Sequence, residues 1–436
     1  MQVASPTSRL EPKVEASDIY EFNGIWVNHE LRVGSLQIKA RVPQLGLDED
    51  DPKSAWYKAY LHGIRPRSLA AREGRLQAVD LFCGAGGLAL GFRQVADELG
   101  ALSVTRVAVD HDAPALGVYE RNHDVEYPLL GSVTDLVDFA VRRTPYGALF
   151  QYHPEIIHEG AAPFLQGIDV VLAGPPCQGH SNLNNHTRRA DPRNDLYLYP
   201  AAVAVAVGAK HCIIENVPSV VHDSSQVVQL AQTLLDSAGY RVTHGILNAA
   251  ELGWPQARKR HFLVASRESA PLDLGDVLEA LRDVPRSVTW AIGDLVDIDR
   301  SDPMDRLPDL SKENLERISW LFENEAYDLD LSVRPQSHRN GTSYQSVYGR
   351  MRPDEPAPTI TTGFGTPGRG RFVHPTRRSV LTAREAARLQ GFPDTYKFVD
   401  VDGLAPSRAL LAKWIGDAVP MPLGYAAIVS ALGGES

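Results

Sequence analysis

The chain has 436 residues, of which 43% are hydrophobic and 22% charged, and its formal net charge is −10. This length exceeds what one hydrophobic core usually organises, so we expect an enzyme-sized protein of two lobes. The acidic balance argues against nonspecific coating of nucleic acid, which requires an excess of Lys and Arg. No apolar run approaches the roughly 18 to 20 residues that span a bilayer, and no signal-peptide core is present. We therefore expect a cytoplasmic protein without a membrane segment.

The N-terminal residues 1–75 have mixed polarity, including an acidic stretch at 48–51. We interpret them as an N-terminal extension, whose role the sequence leaves open. From residue 76, short apolar runs alternate with helical stretches; the runs are AVDLF, VTRVAVD, IDVVLAG, HCIIENV and RHFLVAS. Buried strands that alternate with helices predict a parallel α/β sheet. Acidic helical segments interrupt this pattern from about 268 to 345 and indicate a second, inserted lobe.

A glycine-rich turn follows the first of these strands, in the segment DLFCGAGGL that begins at Asp80. Glycine lets a backbone turn tightly and lets a ligand approach it closely. The second strand ends at Asp110, where a carboxylate can accept hydrogen bonds from ribose hydroxyls. No GKS or GKT phosphate cradle is present, so a nucleoside such as S-adenosylmethionine is favoured over a nucleoside triphosphate.

The three cysteines, Cys83, Cys177 and Cys212, form no CxxC pair, so neither a disulfide framework nor a metal site is indicated. Cys83 and Cys212 lie in apolar runs and are interpreted as small buried hydrophobes. Cys177 follows two prolines at the carboxyl end of a predicted parallel strand, where ligands of such sheets bind. The next strand ends in IENVP and places Glu215 at the same edge. The sequence thus predicts a cysteine nucleophile beside a carboxyl group.

Basic residues follow these segments in three places. In QARKR, Arg258 and Arg260 share one face of an extended segment, although an exposed charged edge strand is an alternative. No acidic residue lies between 355 and 385, an interval with five arginines; the arginines are Arg369, Arg371, Arg377, Arg378 and Arg384. A third cluster lies at 186–193. Such runs are most simply interpreted as solvated loops, and the alternative interpretation is that they make local contacts with DNA.

Six segments in order resemble the motifs of the cytosine-C5 DNA methyltransferases: DLFCGAGG, GPPCQGHS, ENV, QARKR, LTAREAARLQGFP and GDAVP. The resemblance covers about three quarters of the chain. It implies a Rossmann-like S-adenosylmethionine-dependent methyltransferase sheet with a smaller target-recognition domain, acting on double-stranded DNA. The division we predict is an extension over 1–75, a catalytic domain over 76–267, a target-recognition domain over 268–404, and a C-terminal segment over 405–436 that completes the catalytic domain.

The resemblance also implies catalytic roles. Cys177 would attack carbon 6 of cytosine, and Glu215 would bond N3 and the exocyclic amine of the ring. Arg260 would contact the base from its O2 side, and Arg258 would hold a neighbouring carboxylate or a DNA phosphate. The target base must be flipped out of the duplex for this chemistry.

Two further sets of residues follow from the family motifs and from the basic runs. Those expected at the cofactor are Phe82, Gly84, Ala85, Gly87, Asp110, Pro176, Leu196, Asp417 and Ala418. Those expected at DNA are Ser181, Arg188, Arg189, Arg193, Arg339, Tyr344, Arg369 and Arg371.

Three positions depart from the family pattern. His180 stands where the family usually has Phe, Ser132 where it has an acidic contact to adenine, and Asp417 where it has Asn. None removes a reacting atom. Asp417 is either a substitution of similar shape or a residue that alters cofactor preference.

The chain most resembles the modification enzyme of a bacterial restriction system, with a companion endonuclease that need not contact it. Chemistry on one flipped base requires only a monomer. An RNA cytosine-C5 methyltransferase and a catalytically idle DNA-binding homologue are the alternatives. The recognised DNA sequence, and the base that removes the C5 proton, stay open at this point.

Overall fold

The computed structural model describes residues 15–45, 49–70, 74–144, 147–176, 192–336, 346–399 and 406–434. The N-terminal part contains a four-stranded antiparallel sheet and a helix. Its elements are β1 (Ala16–Asn23), β2 (Trp26–Val33), β3 (Leu36–Pro43), α1 (Pro52–Leu61) and β4 (Arg67–Ser68).

Strands and helices alternate over the middle of the chain. The elements are β5 (Arg75–Leu81), α2 (Gly87–Leu99), β6 (Leu102–Asp110), α3 (Ala113–Asn122), β7 (Val125–Leu130), β8 (Val137–Asp138), β9 (Val141–Thr144), β10 (Gly147–Phe150), β11 (Glu155–Ile156), β12 (Val170–Ala173), α4 (Tyr199–Val207), β13 (His211–Asn216), α5 (Val227–Ser237), β14 (Arg241–Asn248), β15 (Gln256–Ala257) and β16 (Lys259–Ser266). Helices dominate the rest, which also contains the short strand β17. The elements are α6 (Leu274–Leu281), α7 (Val288–Ile292), α8 (Lys312–Glu323), β17 (Ala357–Pro358), α9 (Ala383–Gln390), α10 (Arg408–Asp417) and α11 (Met421–Leu432).

Seven strands form the central sheet, in the order β14-β16-β13-β12-β5-β6-β7. The predicted α/β fold is confirmed, with one correction: β16 runs antiparallel to both of its neighbours. The chain between β14 and β16 covers only residues 249–258, and parallel neighbours need a crossover of a dozen or more residues. The remaining pairs are parallel, so their carboxyl ends meet at one edge.

The N-terminal sheet packs against the central one. Leu31, Ile38 and Trp56 belong to the same buried cluster as Phe92 of α2 and Ile428 of α11. Within this cluster α2 and α11 approach closely, because a Cβ atom on Gly91 would lie 2.4 Å from the backbone nitrogen of Tyr425. The segment that precedes the first predicted motif is therefore part of the main core.

Helices α10 and α11 together form an apolar stretch, 408–432, long enough by composition to cross a membrane. The sequence pattern did not indicate this stretch. It is divided by the break at residues 418–420, and 78% of its most apolar window is buried inside the protein. Such burial is typical of helices in a protein core.

A separate, small core lies within the predicted recognition domain. It contains Ile318 and Leu321 of α8 together with Leu329, Val373 and Val380. Helices α6, α7 and α9 fall in the same predicted range, yet their buried side chains join the main core. The domain limits given above stay predictions.

Candidate active site

The loop between β5 and α2 has an unusual backbone. Phe82, Gly84 and Gly86 have φ angles of 56°, 52° and 84°, in the left-handed region that favours glycine. Cys83 N–H donates to Val109 O at 3.1 Å, and Gly86 N–H donates to Cys83 O at 3.0 Å. These bonds fix a tight turn at the carboxyl edge of the sheet, where ligands of such folds bind.

Asp110, the last residue of β6, holds this loop. One carboxylate oxygen accepts a hydrogen bond from Gly84 N–H at 2.8 Å, and the other accepts one from Asp112 N–H at 2.8 Å. A Cβ atom on Gly84 would meet nothing within 4 Å, so the turn faces open space. An open glycine turn beside a carboxylate with further acceptor capacity fits a nucleoside with ribose hydroxyls.

Gly87 and Ala418, both predicted for the cofactor, contact each other. A Cβ atom on Gly87 would lie 2.8 Å from the Cβ of Ala418 and 2.8 Å from Val419 O. The missing side chain thus lets α2 begin against the end of α10. Asp417 lies beside this contact; partial burial of its carboxyl group raises the pKa of Asp417, and the cations Lys413, Arg258 and Arg260 oppose that shift.

Glu215 lies at the edge of the sheet where Cys177 is expected. Ala173 of β12 is in register with Ile214 of β13, so Glu215 stands next to the end of the strand that leads into Pro175 and Pro176. A Cβ atom on Gly174 would lie 3.7 Å from Glu215 Oε2. Cys177 itself lies outside the described residues.

A buried ion pair occupies this position. Glu215 is only 7% exposed, and its Oε1 atom lies 2.8 Å from Nε of Arg260. Burial raises the pKa of Glu215, while Arg260 and Arg258 lower it, and the net shift is upward. A carboxyl group with a raised pKa can hold a proton and donate it in a hydrogen bond.

Asn216, which the sequence reading did not single out, ties the two strand ends together. Its side-chain nitrogen donates to Pro175 O at 3.2 Å, and its side-chain oxygen accepts a bond from Val217 N–H at 2.8 Å. It is 1% exposed. Its place beside Glu215 in ENV was the available signal.

Arg258 is 2% exposed and donates to two carbonyl oxygens, Ile360 O at 2.6 Å and Gly416 O at 3.1 Å. This guanidinium is buried among backbone carbonyls, and the prediction that it holds a neighbouring carboxylate or a DNA phosphate stays a prediction. Gln256 of the same segment accepts a bond from Ile360 N–H at 3.0 Å and donates to Leu389 O at 2.8 Å. QARKR therefore joins β16 to the segment around Ile360, to α9 and to α10.

The arginine-rich interval is largely paired with carboxylates. Arg371 lies 2.5 Å from Asp328 and donates to the carbonyls of Tyr327 and Arg350. The other pairs are Arg377 with Glu385, Arg378 with Glu323, and Arg384 with Asp302 and Asp305. Arg369 is exposed and has no ion pair within the described ranges. An interval without acidic residues in sequence is thus surrounded by them in space.

The other predicted residues divide into two sets. Pro176 and Leu196 are half-buried, and Ser132 caps a short turn by accepting a bond from Thr134 N–H at 3.2 Å. Those outside the described residues, or with an undescribed side chain, are His180, Ser181, Arg188, Arg189, Arg193, Arg339 and Tyr344. Their predicted roles stay predictions.

The sheet order, the open glycine turn and the carboxylate of β6 define a Rossmann-like enzyme that binds a nucleoside cofactor. The family model described as C-5 cytosine-specific DNA methylase matches residues 76–432, and the chain belongs to this family. It is a DNA cytosine-5 methyltransferase whose methyl donor is S-adenosylmethionine.

Curated relatives agree with this assignment, and solved structures share the fold. The chain is 39% identical over 398 residues to the type II methyltransferase M1.BsuMI of Bacillus subtilis, covering 89% of this chain and 88% of that protein. It is 28% identical over 360 residues to the type II methylase M.HgiDII of Herpetosiphon aurantiacus, covering 79% and 92%. The S. pombe Dnmt2 structure shares the fold, with a TM-score of 0.53 and 17% identity over 82% of this chain and 98% of that one.

Proposed function

We propose that the enzyme flips a target cytosine out of duplex DNA and attacks its carbon 6 with the thiolate of Cys177. The observation that carries this proposal is the buried Glu215–Arg260 pair beside the strand end that leads to Cys177. Formation of the S–C6 bond moves electron density to carbon 5, which is otherwise unreactive. The base has to leave the stack because neither carbon is accessible inside it.

Glu215 supplies the stabilisation that this attack needs. Attack on carbon 6 builds negative charge that extends to N3, and a protonated carboxyl group can donate to that atom. The raised pKa of Glu215 supports this role. Arg260 fixes the orientation of the carboxyl group through its 2.8 Å contact. The family resemblance implies that the same guanidinium contacts the base from its O2 side.

The cofactor site consists of residues 82–87 with Asp110, completed by Pro176, Leu196 and the end of α10. S-adenosylmethionine, when bound there, supplies an electrophilic methyl group. Carbon 5 of the attacked ring accepts that group; loss of the C5 proton to a base and departure of Cys177 then restore the aromatic ring. Gly84 and Asp110 orient the donor and keep the loop in one conformation.

We further propose that the small lobe around α8 reads the DNA sequence, with Arg369 as one of its contacts. Methylation of this kind protects host DNA in a restriction-modification system with a companion endonuclease. The names of the type II relatives support that role. The enzyme works as a monomer in the cytoplasm.

The covalent step is tested with a pool of duplexes of varied sequence that carry 5-fluorocytosine. After methyl transfer, carbon 5 of such a ring has no proton to lose, so the Cys177–DNA bond persists through denaturation. We expect a protein–DNA adduct for the wild type with S-adenosylmethionine and for Cys212→Ser, whose thiol is fully buried. Cys177→Ser should give none. An adduct that survives Cys177→Ser refutes the assignment of the nucleophile.

A further inference from the structure

A tyrosine distant in sequence contacts the cofactor loop. The hydroxyl of Tyr396 donates a 2.5 Å hydrogen bond to Ala85 O, although 311 residues separate the two. Tyr396 is 6% exposed and lies in the segment that follows α9. The bond therefore connects the chain returning from the recognition lobe to the glycine-rich turn.

The Tyr396 hydroxyl has a second hydrogen-bond partner, His123. Its Nε2 atom lies 3.1 Å from the Tyr396 oxygen. A carbonyl oxygen can only accept, so the tyrosine proton points to Ala85, and His123 must donate through Nε2–H. Burial drives the pKa of His123 well below its ordinary value, which keeps the ring neutral near pH 7.

The segment that contains Tyr396 is itself held in place. Asn122, at the end of α3, accepts a bond from Lys397 N–H at 2.8 Å and donates to Lys397 O at 3.0 Å. The tyrosine ring packs against both Phe392 and Phe398, with centroid distances of 4.8 and 5.2 Å, and those two rings contact each other at 5.0 Å. These contacts hold the tyrosine ring, and therefore its hydroxyl group, in one position.

Gly86 shows how closely the loop fits against this pair. A Cβ atom there would lie 2.4 Å from Nε2 of His123 and 2.6 Å from the Tyr396 hydroxyl. Glycine is required here by the neighbouring side chains as well as by its φ of 84°.

We infer that Tyr396 is a positioning residue that holds the 82–87 loop in the conformation that accepts S-adenosylmethionine. The inference rests on the proposed cofactor site. The loop has two side-chain anchors on consecutive residues: Asp110 accepts from Gly84 N–H, and Tyr396 donates to Ala85 O. Without the second anchor the turn samples other conformations. The free energy needed to order it then reduces the affinity for the cofactor.

The test is calorimetric titration of S-adenosylmethionine into the full-length protein without DNA. Tyr396→Phe should raise the dissociation constant about fivefold, the scale expected for one hydrogen bond. In turnover assays the KM for the cofactor should rise similarly, while kcat at saturation stays near the wild-type value.

Tyr60→Phe is the matched control. Tyr60 is equally buried, and its hydroxyl donates to Gly391 O at 2.7 Å, outside the loop. It should lower thermal stability as much as Tyr396→Phe does and leave cofactor affinity unchanged. His123→Gln keeps a donor at the position of Nε2 and should bind nearly as the wild type does, whereas His123→Met should bind like Tyr396→Phe.

Three outcomes overturn the inference. Wild-type affinity in Tyr396→Phe shows that the hydroxyl has no such role. Equal loss in Tyr60→Phe shows that the effect is general destabilisation. Absence of binding by the wild-type protein itself refutes the proposed cofactor site, and the inference with it.

Discussion

Nε of Arg260 lies 2.8 Å from Oε1 of Glu215, and the two residues come from antiparallel neighbours in the sheet, β16 and β13. The orientation of β16 is what makes this contact possible. Because β16 runs against the parallel strands, its first residues lie at the edge where those strands end. The carboxyl group of ENV and the guanidinium of QARKR meet there, next to the strand that leads to Cys177.

Glu215→Gln should abolish most of the activity without loss of cofactor binding. The variant keeps the shape of the side chain and removes the acidic proton, so charge on the attacked ring loses its stabilisation. We expect kcat to fall by about 100-fold or more. Single-turnover methylation of duplex DNA measures this, with Glu251→Gln, a half-exposed carboxyl paired with Arg282, as the control. Glu215→Gln turning over at the control rate would contradict the role of Glu215.

Arg258→Lys should act on stability. Lysine cannot reproduce the planar fork that reaches both Ile360 O and Gly416 O, and a buried carbonyl is left unpaired. We expect a loss of about 2 kcal/mol in the free energy of unfolding, measured by urea denaturation. Arg282→Lys, at a partly exposed ion pair, should change it by less than about 0.5 kcal/mol. A stable Arg258→Lys protein with a reduced salt dependence of DNA binding would contradict this structural role and support a phosphate contact.

Arg369 and Arg371 should behave differently in DNA binding. Arg369→Gln removes an exposed cation without an ion pair in the described part of the chain, so the slope of log affinity against log salt should fall by about one. Arg371→Gln breaks the contact with Asp328 and two carbonyl bonds. It should lower the melting temperature and leave the salt slope of the folded fraction unchanged. Fluorescence anisotropy across a salt series measures both slopes. A lower slope for Arg371→Gln together with an unchanged slope for Arg369→Gln would refute the roles assigned to these two residues.

The N-terminal sheet should be sensitive to alkaline pH through His29. This buried ring lies 2.8 Å from Asp18 and 3.3 Å from Glu98 of α2. Burial opposes its protonation, but Glu98 and Asp18 outweigh that effect and raise its pKa to about 9. Because the pKa of His29 is higher in the folded state than in the unfolded state, its charge stabilises the fold fully below about pH 6.5. This contribution to the free energy of unfolding, about 3 kcal/mol, is lost as the pH rises through 9.

Urea denaturation between pH 6.5 and 9.5 measures this loss. Buried cysteines also contribute to it, so the wild type is compared with His29→Gln, which should be less stable at pH 6.5 and show a flatter pH profile. Parallel profiles for the two proteins would rule out the charged histidine.

The sequence predicted the elements whose signals are local. The glycine turn and Asp110 were found because each stands at the end of an apolar run, and their 2.8 Å bond follows from adjacent parallel strands. Glu215 likewise stands at the end of an apolar run, on the strand next to the one that leads to Cys177.

What the sequence did not reveal depends on contacts between distant segments. The carboxylates that pair with Arg371, Arg378 and Arg384 precede them by 43 to 82 residues, so the sequence of this acid-free interval did not reveal these ion pairs. Tyr396 reaches Ala85 across 311 residues and belongs to no local pattern. The packing of the N-terminal sheet on α2 was hidden for the same reason.

The most direct test of the central claim is nucleoside analysis of unmethylated duplex DNA incubated with the purified protein and S-adenosylmethionine. Digestion and mass spectrometry should reveal 5-methylcytosine with the wild type and with Cys212→Ser, and none with Cys177→Ser. Cytosine that stays unmodified on DNA of diverse sequence, or methylation that persists in Cys177→Ser, would contradict the mechanism proposed here.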